Sequence, residues 1–425
     1  MVNVCFYFHV HQPHRLKHFR IFDVGQNKEY FDEEKNREII EKIAHKCYLP
    51  MNNLLLKLIN KHGGKFKVSF SITGVYLEQL EKFAPDVLES FKKLAKTGCV
   101  EFVSETYHHS LSFLYSKKEF IRQVKMQEKI LEKYFDAKPK IFRNTELIFN
   151  NELAKFVEEL GYKGILCEGA DRILDWKSPN FVYGNTYASN IKLLTKNYKL
   201  SDDIAFRFSN KGWQHHPLSV ERYVTWLNKI NGNGEVVNLF MDYETFGEHQ
   251  WEDTGIFNFM EKLPEEFLKH QDNGFMTVSE AINLPKRGTL DMHEYVSWAD
   301  TERDLTAWLG NKIQQLSIKE LYELEDYVYR SKDKKLINDW QKLTTSDHFY
   351  YMCTKYFNDG DVHKYFSPYE SPYEAYINFM NVLNDLVLRI RNKTQIKKEI
   401  DEGGEQETVS VSETPSILLT QLLSK

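Results

Sequence analysis

Short apolar runs alternate with stretches of helical periodicity from the first residues to about residue 285. The apolar runs occupy 2–10, 67–72, 99–103, 140–142, 163–166, 204–208, 236–241 and 275–278. Between them, leucines and isoleucines recur at helical spacing, as at 54–59, and Asn150 or Asn151 can cap a helix that ends at Gly161. This order of short strands and helices predicts βα units wound into a parallel sheet or a barrel.

The strand pattern ends near residue 312, and helical periodicity continues alone. Ile313, Leu316, Leu321, Leu324 and Val328 recur at helical spacing, and 373–390 repeats the pattern. Beyond 391 the chain is rich in Lys, Glu, Gln, Thr and Ser, and it is too polar to bury a core. We therefore expect a barrel-type domain over 1–290, a helical region over 291–390 and a disordered tail over 391–425, in which 417–423 forms at most a weak helix.

Composition narrows the kind of partner. The 425 residues carry a formal net charge of −5, which leaves no basic footprint for nucleic acid or for a membrane surface. No apolar stretch is long enough to span a membrane, and the start lacks the basic leader of a secretory signal. The five cysteines form no CxxC pair, which suits reduced thiols. We expect a cytoplasmic protein whose partner is small or neutral.

Polar or ionisable side chains lie within or just after most of the apolar runs. They are His11, Thr73, Glu101, Glu105, Glu146, Glu168 and Asp242. In a barrel the carboxyl ends of the strands meet on one face, so these side chains, although far apart in the sequence, can form one site. On an open sheet the same side chains would line a crevice.

Five blocks of sequence carry a resemblance to a known family. They are His11-Gln12-Pro13, 98–105 (GCVEFVSE), 142–146 (FRNTE), 241–249 (MDYETFGEH) and 298–311 (WADTERDLTAWLGN), in that order along the chain. In these blocks the chain resembles glycoside hydrolase family 57, in its α-amylase-like branch, over most of 1–390. The resemblance implies an α/β fold, an incomplete (β/α)7 barrel followed by a C-terminal helical region that contributes to the active-site cleft.

The resemblance also implies an activity and two catalytic residues. The activity is cleavage of α-1,4-glucosidic bonds in an α-glucan or maltooligosaccharide by double displacement, with retention of configuration and without a metal or other cofactor. Glu146 matches the nucleophile, and Asp242 matches the acid that protonates the leaving oxygen and later acts as a base. Such a pair lies about 5–5.5 Å apart across the scissile bond. We expect burial and the charge of Glu146 to raise the pKa of Asp242, so that it holds a proton near neutral pH.

The same blocks supply candidates for substrate binding. His11 matches a histidine that hydrogen-bonds the sugar beside the cleaved bond, and Glu101 matches a carboxylate that supports the site. Trp298, Asp304 and Trp308 combine aromatic rings and an acid in the order that suits stacking on a pyranose and hydrogen bonding at its edge.

Three alternatives stay open at the level of sequence. The first is a 4-α-glucanotransferase acting on maltooligosaccharides, because the partition between water and a sugar acceptor depends on the acceptor subsites. The second is a metal-dependent barrel hydrolase that uses His9, His11, His14 and the 108–109 histidine pair as ligands. The third is a non-catalytic glycan-binding homologue.

Overall fold

The computed structural model describes residues 2–355 and 367–402, with side chains to residue 393. Within this part of the chain there are two compact units. The barrel unit comprises 2–13, 34–109 and 117–305, and the helical unit comprises 14–33, 110–116, 306–355 and 367–402. Among the described helices, none combines the length and the apolar character that crossing a bilayer requires.

The strands of the barrel unit form two sheets. They are β1 (Asn3–Val10), β2 (Val68–Ile72), β3 (Val100–Phe102), β4 (Ile141–Arg143), β5 (Gly164–Cys167), β6 (Val182–Asn185), β7 (Lys192–Thr195), β8 (Val236–Asp242), β9 (Gly274–Phe275) and β10 (Lys286–Leu290). One sheet has the order β3-β2-β1-β8, with β9 beside β1, and the other has the order β10-β6-β7-β5-β4. The pairs are parallel except β6 with β7, which is antiparallel.

Backbone hydrogen bonds join the two sheets at two places. Between β3 and β4, Ser104 N donates to Ile141 O at 3.1 Å and Arg143 N donates to Ser104 O at 2.8 Å. Between β7 and β8, Asn197 N donates to Asn238 O at 2.9 Å. The strands therefore form a ring that is interrupted where no continuous ladder of hydrogen bonds joins neighbouring strands. Its members are β1, β2, β3, β4, β5, β7 and β8. The predicted incomplete (β/α)7 barrel is confirmed.

Helices connect and surround these strands. In the barrel unit they are α1 (Glu33–Ile43), α2 (Leu49–Lys61), α3 (Gly74–Phe83), α4 (Pro85–Ala95), α6 (Lys117–Phe135), α7 (Asn151–Glu159), α8 (Asp171–Leu174), α9 (Tyr198–Ala205), α10 (Val220–Asn228), α11 (Ile256–Phe267) and α12 (Val278–Ala281). In the helical unit they are α5 (Ser112–Tyr115), α13 (Thr306–Leu309), α14 (Lys312–Glu323), α15 (Glu325–Ser331), α16 (Lys334–Leu343), α17 (Asp347–Tyr350) and α18 (Pro372–Glu402).

The side chains of each strand point alternately inward and outward, and this separates an inner core from an outer one. In β1, Cys5 and Tyr7 belong to the inner cluster, whereas Phe6 and Phe8 belong to the cluster that includes buried side chains of the surrounding helices. Because successive strand residues point to opposite faces, the next inward residue of β1 is His9. The same two-residue step determines which polar side chains at the other strand ends face the interior.

The structure corrects one predicted strand and adds three that the sequence pattern misses. The run at 204–208 is wrong as a strand, because Ile204 lies in the amphipathic helix α9 and is buried there. The added strands β6, β7 and β10 are short, and each of them carries glycine or lysine where apolar runs were sought. The predicted cap at Asn150 is confirmed, since its side chain accepts a hydrogen bond from Leu153 N at 2.9 Å.

The boundary between the units differs from the predicted division at residue 290. Residues 291–305 stay with the barrel unit because Phe149 pairs with Val296 and Trp298 N donates to Glu146 O at 3.2 Å. The helical unit also includes 14–33, where Tyr30 OH donates to Asp385 in α18 at 2.5 Å. α18 continues to Glu402, into the segment predicted as a disordered tail. The rest of that segment, 403–425, lies outside the described residues, as does the weak helix expected at 417–423.

Candidate active site

Inward-facing residues at the carboxyl ends of four strands meet in one cluster. His9 lies near the end of β1, Glu105 follows β3, Arg143 ends β4 and Asp242 ends β8. In the register of the sheet His9 pairs with Asp242, which places these two side chains at the same level of the barrel. His109, four residues after Glu105, completes the cluster from the loop that follows β3.

The cluster is a continuous chain of carboxylates and imidazole rings. His9 lies between Asp242 and Glu105, with 3.3 Å from Nδ1 to Asp242 Oδ1 and 3.3 Å from Nε2 to Glu105 Oε2. His109 lies between Glu105 and Glu146, with 3.3 Å from Nδ1 to Glu105 Oε2 and 2.8 Å from Nε2 to Glu146 Oε1. We call the sequence Asp242–His9–Glu105–His109–Glu146 the carboxylate–imidazole chain. It connects the two acids that the sequence singles out.

Glu146 is held in a strained backbone conformation by several contacts. The indole N–H of Trp298 donates to Glu146 Oε2 at 2.7 Å, while His109 occupies Oε1. Glu146, Leu147 and His109 all have left-handed backbones, with φ of 57°, 51° and 52°. Such conformations are uncommon for residues other than glycine and persist where the surroundings fix them, often at functional sites. The orientation of the Glu146 carboxylate is therefore fixed both by its backbone conformation and by the hydrogen bonds to its two oxygens.

The interior of the chain is buried and its two ends are open. His9, Glu105 and His109 are buried, whereas the side chains of Glu146 and Asp242 are 21% and 41% exposed. A molecule entering the mouth of the barrel can therefore reach both terminal carboxylates. The three residues between them are shielded from direct contact with solvent.

Opposite charges shift the pKa values inside the chain. Burial raises the pKa of Glu105, but His9, His109 and Arg143 lower it more, so that it lies well below its ordinary value. Burial lowers the pKa of His109, but its hydrogen bonds to Glu105 and Glu146 raise it to about 9. Glu105 is therefore ionised and His109 is protonated at neutral pH.

The two terminal carboxylates are ionised as well, which corrects the expectation for Asp242. Burial raises the pKa of Asp242, but the hydrogen bond and the charge of His9 outweigh burial, and the pKa falls below its usual value. In the same way His109 lowers the pKa of Glu146 against the effect of burial. The imidazole of His9 beside Asp242 reverses the direction of the pKa shift that burial and the charge of Glu146 predict.

The HQP block supports the site from the neighbouring strand ends. His11 Nδ1 lies 2.8 Å from Thr73 Oγ1, and its ring centroid lies 4.2 Å from that of His109. Gln12 Nε2 donates to Glu244 Oε1 at 3.2 Å. Burial raises the pKa of Glu244 to about 7. The structure thus brings His11 to the cluster and joins the first block to the block that contains Asp242.

The other predicted substrate-binding residues lie in different surroundings. Glu101 pairs with Ser69, at the level of Tyr7 and roughly 6–7 Å below that of His9, and accepts a hydrogen bond from Ser279 N at 2.8 Å. Its contacts are those of a carboxylate that caps the first turn of α12. The carbonyl of half-buried Asp304 accepts a hydrogen bond from Ser297 Oγ at 2.6 Å. Roles for Glu101 and Asp304 in binding a sugar stay predictions.

The two predicted stacking tryptophans differ in their environment. Trp298 is half-buried, and Arg143 Cζ and Lys196 Nζ lie 4.9 and 5.4 Å from its ring centroid. Together with its bond to Glu146, this makes Trp298 part of the cluster. Trp308 is buried in α13 of the helical unit, with its ring centroid 6.3 Å from that of Tyr350. Stacking of either ring on a sugar stays a prediction.

His9, Glu105 and His109 have the donor types of a metal site, but their surroundings do not favour one. One ligand atom from each lies within 4.8 Å of the others. However, Arg143 Nη1 lies 3.6 Å from the same Glu105 oxygen, so a cation already neutralises the carboxylate. His109 also holds a proton near neutral pH, whereas a metal ligand must be neutral. These residues do not fit a metal ion well.

Arg143 is a member of the cluster that the sequence did not single out, whereas Glu105 was expected only among the polar residues at the strand ends and His9 and His109 only as possible metal ligands. One signal was readable in the sequence. His9 lies two positions before His11 and therefore shares its face of β1, and Glu105 lies two positions after the inward Val103. The pairing of these side chains with Glu146 and Asp242 depends on the register between strands and on the left-handed backbones, which no local pattern reports.

The raised pKa of His109 predicts a pH-dependent stability. Its folded pKa of about 9 exceeds the unfolded value of about 6.5, so the stability it contributes is fully present below the unfolded value and is lost as pH rises through 9. The difference in free energy of unfolding between wild type and His109→Gln should therefore shrink from pH 6.5 to 9, by about 3 kcal/mol at most. Urea unfolding followed by tryptophan fluorescence measures this difference.

His62→Gln provides the matched control for this experiment. His62 follows α2, and burial lowers its pKa, so its effect on stability should not change over the same pH range. If the difference in free energy of unfolding between wild type and His109→Gln also stayed constant over this pH range, His109 would be uncharged in the folded protein.

Comparison with known proteins identifies relatives in sequence and in fold. The profile of glycosyl hydrolase family 57 matches residues 5–294. A Methanocaldococcus jannaschii protein, whose name marks it as a candidate alpha-amylase, is 43% identical over 417 residues, which cover 94% of this chain and 87% of that protein.

Solved structures share the fold at low sequence identity. The family 57 branching enzyme of Pyrococcus horikoshii aligns with a TM-score of 0.68 and 16% identity, covering 99% of this chain and 94% of its own. The 4-alpha-glucanotransferase of Thermococcus litoralis aligns with a TM-score of 0.57 and 16% identity, covering 91% of this chain and 57% of its own. The profile match over most of the chain and the 43% identical relative show that this chain belongs to glycoside hydrolase family 57 and is a glycoside hydrolase.

Proposed function

We propose that this chain is a retaining, α-amylase-like enzyme that cleaves α-1,4-glucosidic bonds in α-glucans or maltooligosaccharides. The observation that carries the proposal is the placement of Glu146 and Asp242 at the two open ends of one buried chain of charged groups. The alpha-amylase name of the 43% identical relative supports the same substrate class. Both acids act by the double displacement that the family resemblance implies.

In the first step Glu146 is the nucleophile. One of its carboxylate oxygens attacks the anomeric carbon, and the bond from that carbon to the leaving oxygen breaks. Asp242 gives a proton to the leaving oxygen, so that the departing sugar leaves as a neutral alcohol. The hydrogen bonds from His109 and Trp298 keep Glu146 oriented before the attack.

In the second step Asp242 acts as a base. It takes a proton from a water molecule while the water oxygen attacks the anomeric carbon on the face that the first leaving group occupied. The bond from that carbon to Glu146 breaks, and the carboxylate is restored. Two inversions give retention of configuration, and a sugar hydroxyl in place of water would give transfer.

Removing either acid should abolish turnover of maltooligosaccharides and leave the fold intact. We expect Glu146→Gln and Asp242→Asn each to lower kcat at least about 10³-fold, because each removes a group that acts in the transition state. Hydrolysis of maltoheptaose measures the loss, and melting curves check the fold. A variant that keeps most of the activity would contradict the assigned role.

Azide rescue separates the two roles with an aryl α-maltooligoside, whose leaving group needs no protonation. With Asp242→Ala, azide should attack the glycosyl-enzyme and yield the α-glycosyl azide. With Glu146→Ala, azide should replace the nucleophile and yield the β-glycosyl azide after a single inversion. The anomeric configuration is read by NMR. Exchanged outcomes would reverse the assignment.

Product analysis on maltoheptaose distinguishes hydrolysis from transfer. For an α-amylase-like enzyme we expect only oligomers shorter than the substrate, measured by anion-exchange chromatography with time. Oligomers both longer and shorter than maltoheptaose would instead indicate a 4-α-glucanotransferase, the activity named for the Thermococcus litoralis structure. Saccharide binding without any turnover by the wild type would indicate a glycan-binding homologue.

A chelator tests the metal-dependent alternative. Because Arg143 lies beside Glu105 and His109 is protonated near neutral pH, we expect dialysis against EDTA to leave kcat on maltoheptaose unchanged. Restoration of a lost activity by a divalent ion such as Zn²⁺ would contradict this and would favour a metal-dependent hydrolase.

A further inference from the structure

In the acid step, Asp242 needs a proton that a neighbouring residue of the cluster can supply. If Asp242 protonates the leaving oxygen, as the proposed function requires, a proton must be available to it inside the site. In the free protein, however, the pKa of Asp242 lies below its ordinary value. A neighbouring group can supply this proton, because His9 Nδ1 lies 3.3 Å from Asp242 Oδ1.

Hydrogen-bond geometry determines the protonation of the two imidazole rings. An ionised carboxylate only accepts hydrogen bonds, so a ring between two carboxylates must carry hydrogen on both nitrogens. His9 lies between Asp242 and Glu105, and His109 lies between Glu105 and Glu146. With all three carboxylates ionised, both rings are imidazolium ions.

We propose that His9 stores the proton that Asp242 delivers to the leaving oxygen, and that His109 is the positioning residue that keeps Glu146 charged and oriented. His9 and His109 are chemically alike, and each contacts Glu105, but they serve opposite ends of the carboxylate–imidazole chain. This inference rests on the proposed function and names two residues that act through the catalytic acids.

The transfer balances in protons and charge. When a sugar enters and excludes water from Asp242, the proton on His9 Nδ1 moves to Asp242 Oδ1, because desolvation favours the neutral pair over the ion pair. The carboxylic acid then donates its proton to the leaving oxygen. In the second step Asp242 receives a proton from water and returns it to His9. The hydrogen bond between the two residues persists throughout, with its donor and acceptor exchanged.

The groups around His9 favour storage of one proton there. The charged or titratable groups that face it are Asp242, Glu105, His11 and His109, with Arg143 behind Glu105. Two carboxylates contact His9 directly, whereas Arg143 contacts Glu105. His109 is held in its charged form by Glu105 and by Glu146, whose remaining oxygen accepts from Trp298. The two rings thus have different partners at their outer nitrogens.

The test compares His9→Gln and His109→Gln on two substrates. Glutamine can hydrogen-bond to both flanking carboxylates but cannot carry an exchangeable charge. On maltoheptaose, whose leaving sugar needs a proton, we expect His9→Gln to lower kcat about 10²- to 10⁴-fold, because His249 and Arg143 still lower the pKa of Asp242 and no ring beside it then carries a proton. On an aryl α-maltooligoside with an acidic phenol as leaving group, the loss in the rate of glycosylation should be less than about 10-fold, because no proton is required.

His109→Gln should behave differently from His9→Gln. It weakens the nucleophile, which attacks in the same way whatever the leaving group, so the rate of glycosylation should fall by a similar factor of about 10- to 100-fold on both substrates. Equal losses on the two substrates for His9→Gln, or a leaving-group dependence for His109→Gln, would overturn the inference. His62→Gln, remote from both acids in sequence and at the end of α2, is the control that should retain activity on both.

The wild-type enzyme supplies a second measurement if a variant does not fold. Above the pKa of about 9 of His109 the rate of glycosylation should fall on both substrates, and it should fall further on maltoheptaose, because only that substrate needs the proton held by His9. A fall of equal size on both substrates would contradict storage on His9. Failure of the proposed function is distinguishable from either result, because the wild type would then cleave neither substrate.

Discussion

The pairing of two imidazole rings with three carboxylates is the interaction on which this site depends. Glu105 is fully buried, and a buried carboxylate is tolerated only when it is neutralised and hydrogen-bonded. The imidazolium ion of His109 and the guanidinium of Arg143 lie beside Glu105, His109 also contacts Glu146, and the ring of His9 lies between Glu105 and Asp242. No member can be removed without leaving a neighbour uncompensated, so the cluster behaves as one unit in which each charge fixes the others.

The barrel makes this pairing possible through the two-residue repeat of its strands. In β1 the inward series runs from Cys5 through Tyr7 to His9, so an apolar interior changes into a polar mouth within a few residues. In β8 the same two-residue repeat makes Asp242 the next inward-facing residue after Phe240. Parallel pairing brings both ends to one level. The apolar floor excludes water below the cluster, which strengthens each electrostatic interaction above it.

The sequence predicted the parts of this arrangement that local patterns determine. Most of the strands and the cap at Asn150 follow from periodicity and helix-capping chemistry, and the resemblance to family 57 points to the acids Glu146 and Asp242. The pairing between His9 and Asp242 does not, because it depends on a register set by more than one strand. The misread run at 204–208 shows the complementary limit, since a short apolar run fits the buried stripe of α9 as well as a strand.

In the proposed function, the environment that suits Glu146 as nucleophile works against Asp242 as acid, and this conflict accounts for the two histidines of the carboxylate–imidazole chain. A nucleophilic carboxylate benefits from a nearby positive charge that keeps it ionised, as His109 does for Glu146. The same effect from His9 deprotonates Asp242, which must act as an acid. A fixed cation such as arginine beside Asp242 would hold it ionised permanently. An imidazolium ion instead gives up the charge together with the proton, so the group that suppresses the acid in the empty site is also able to restore it when a sugar displaces water.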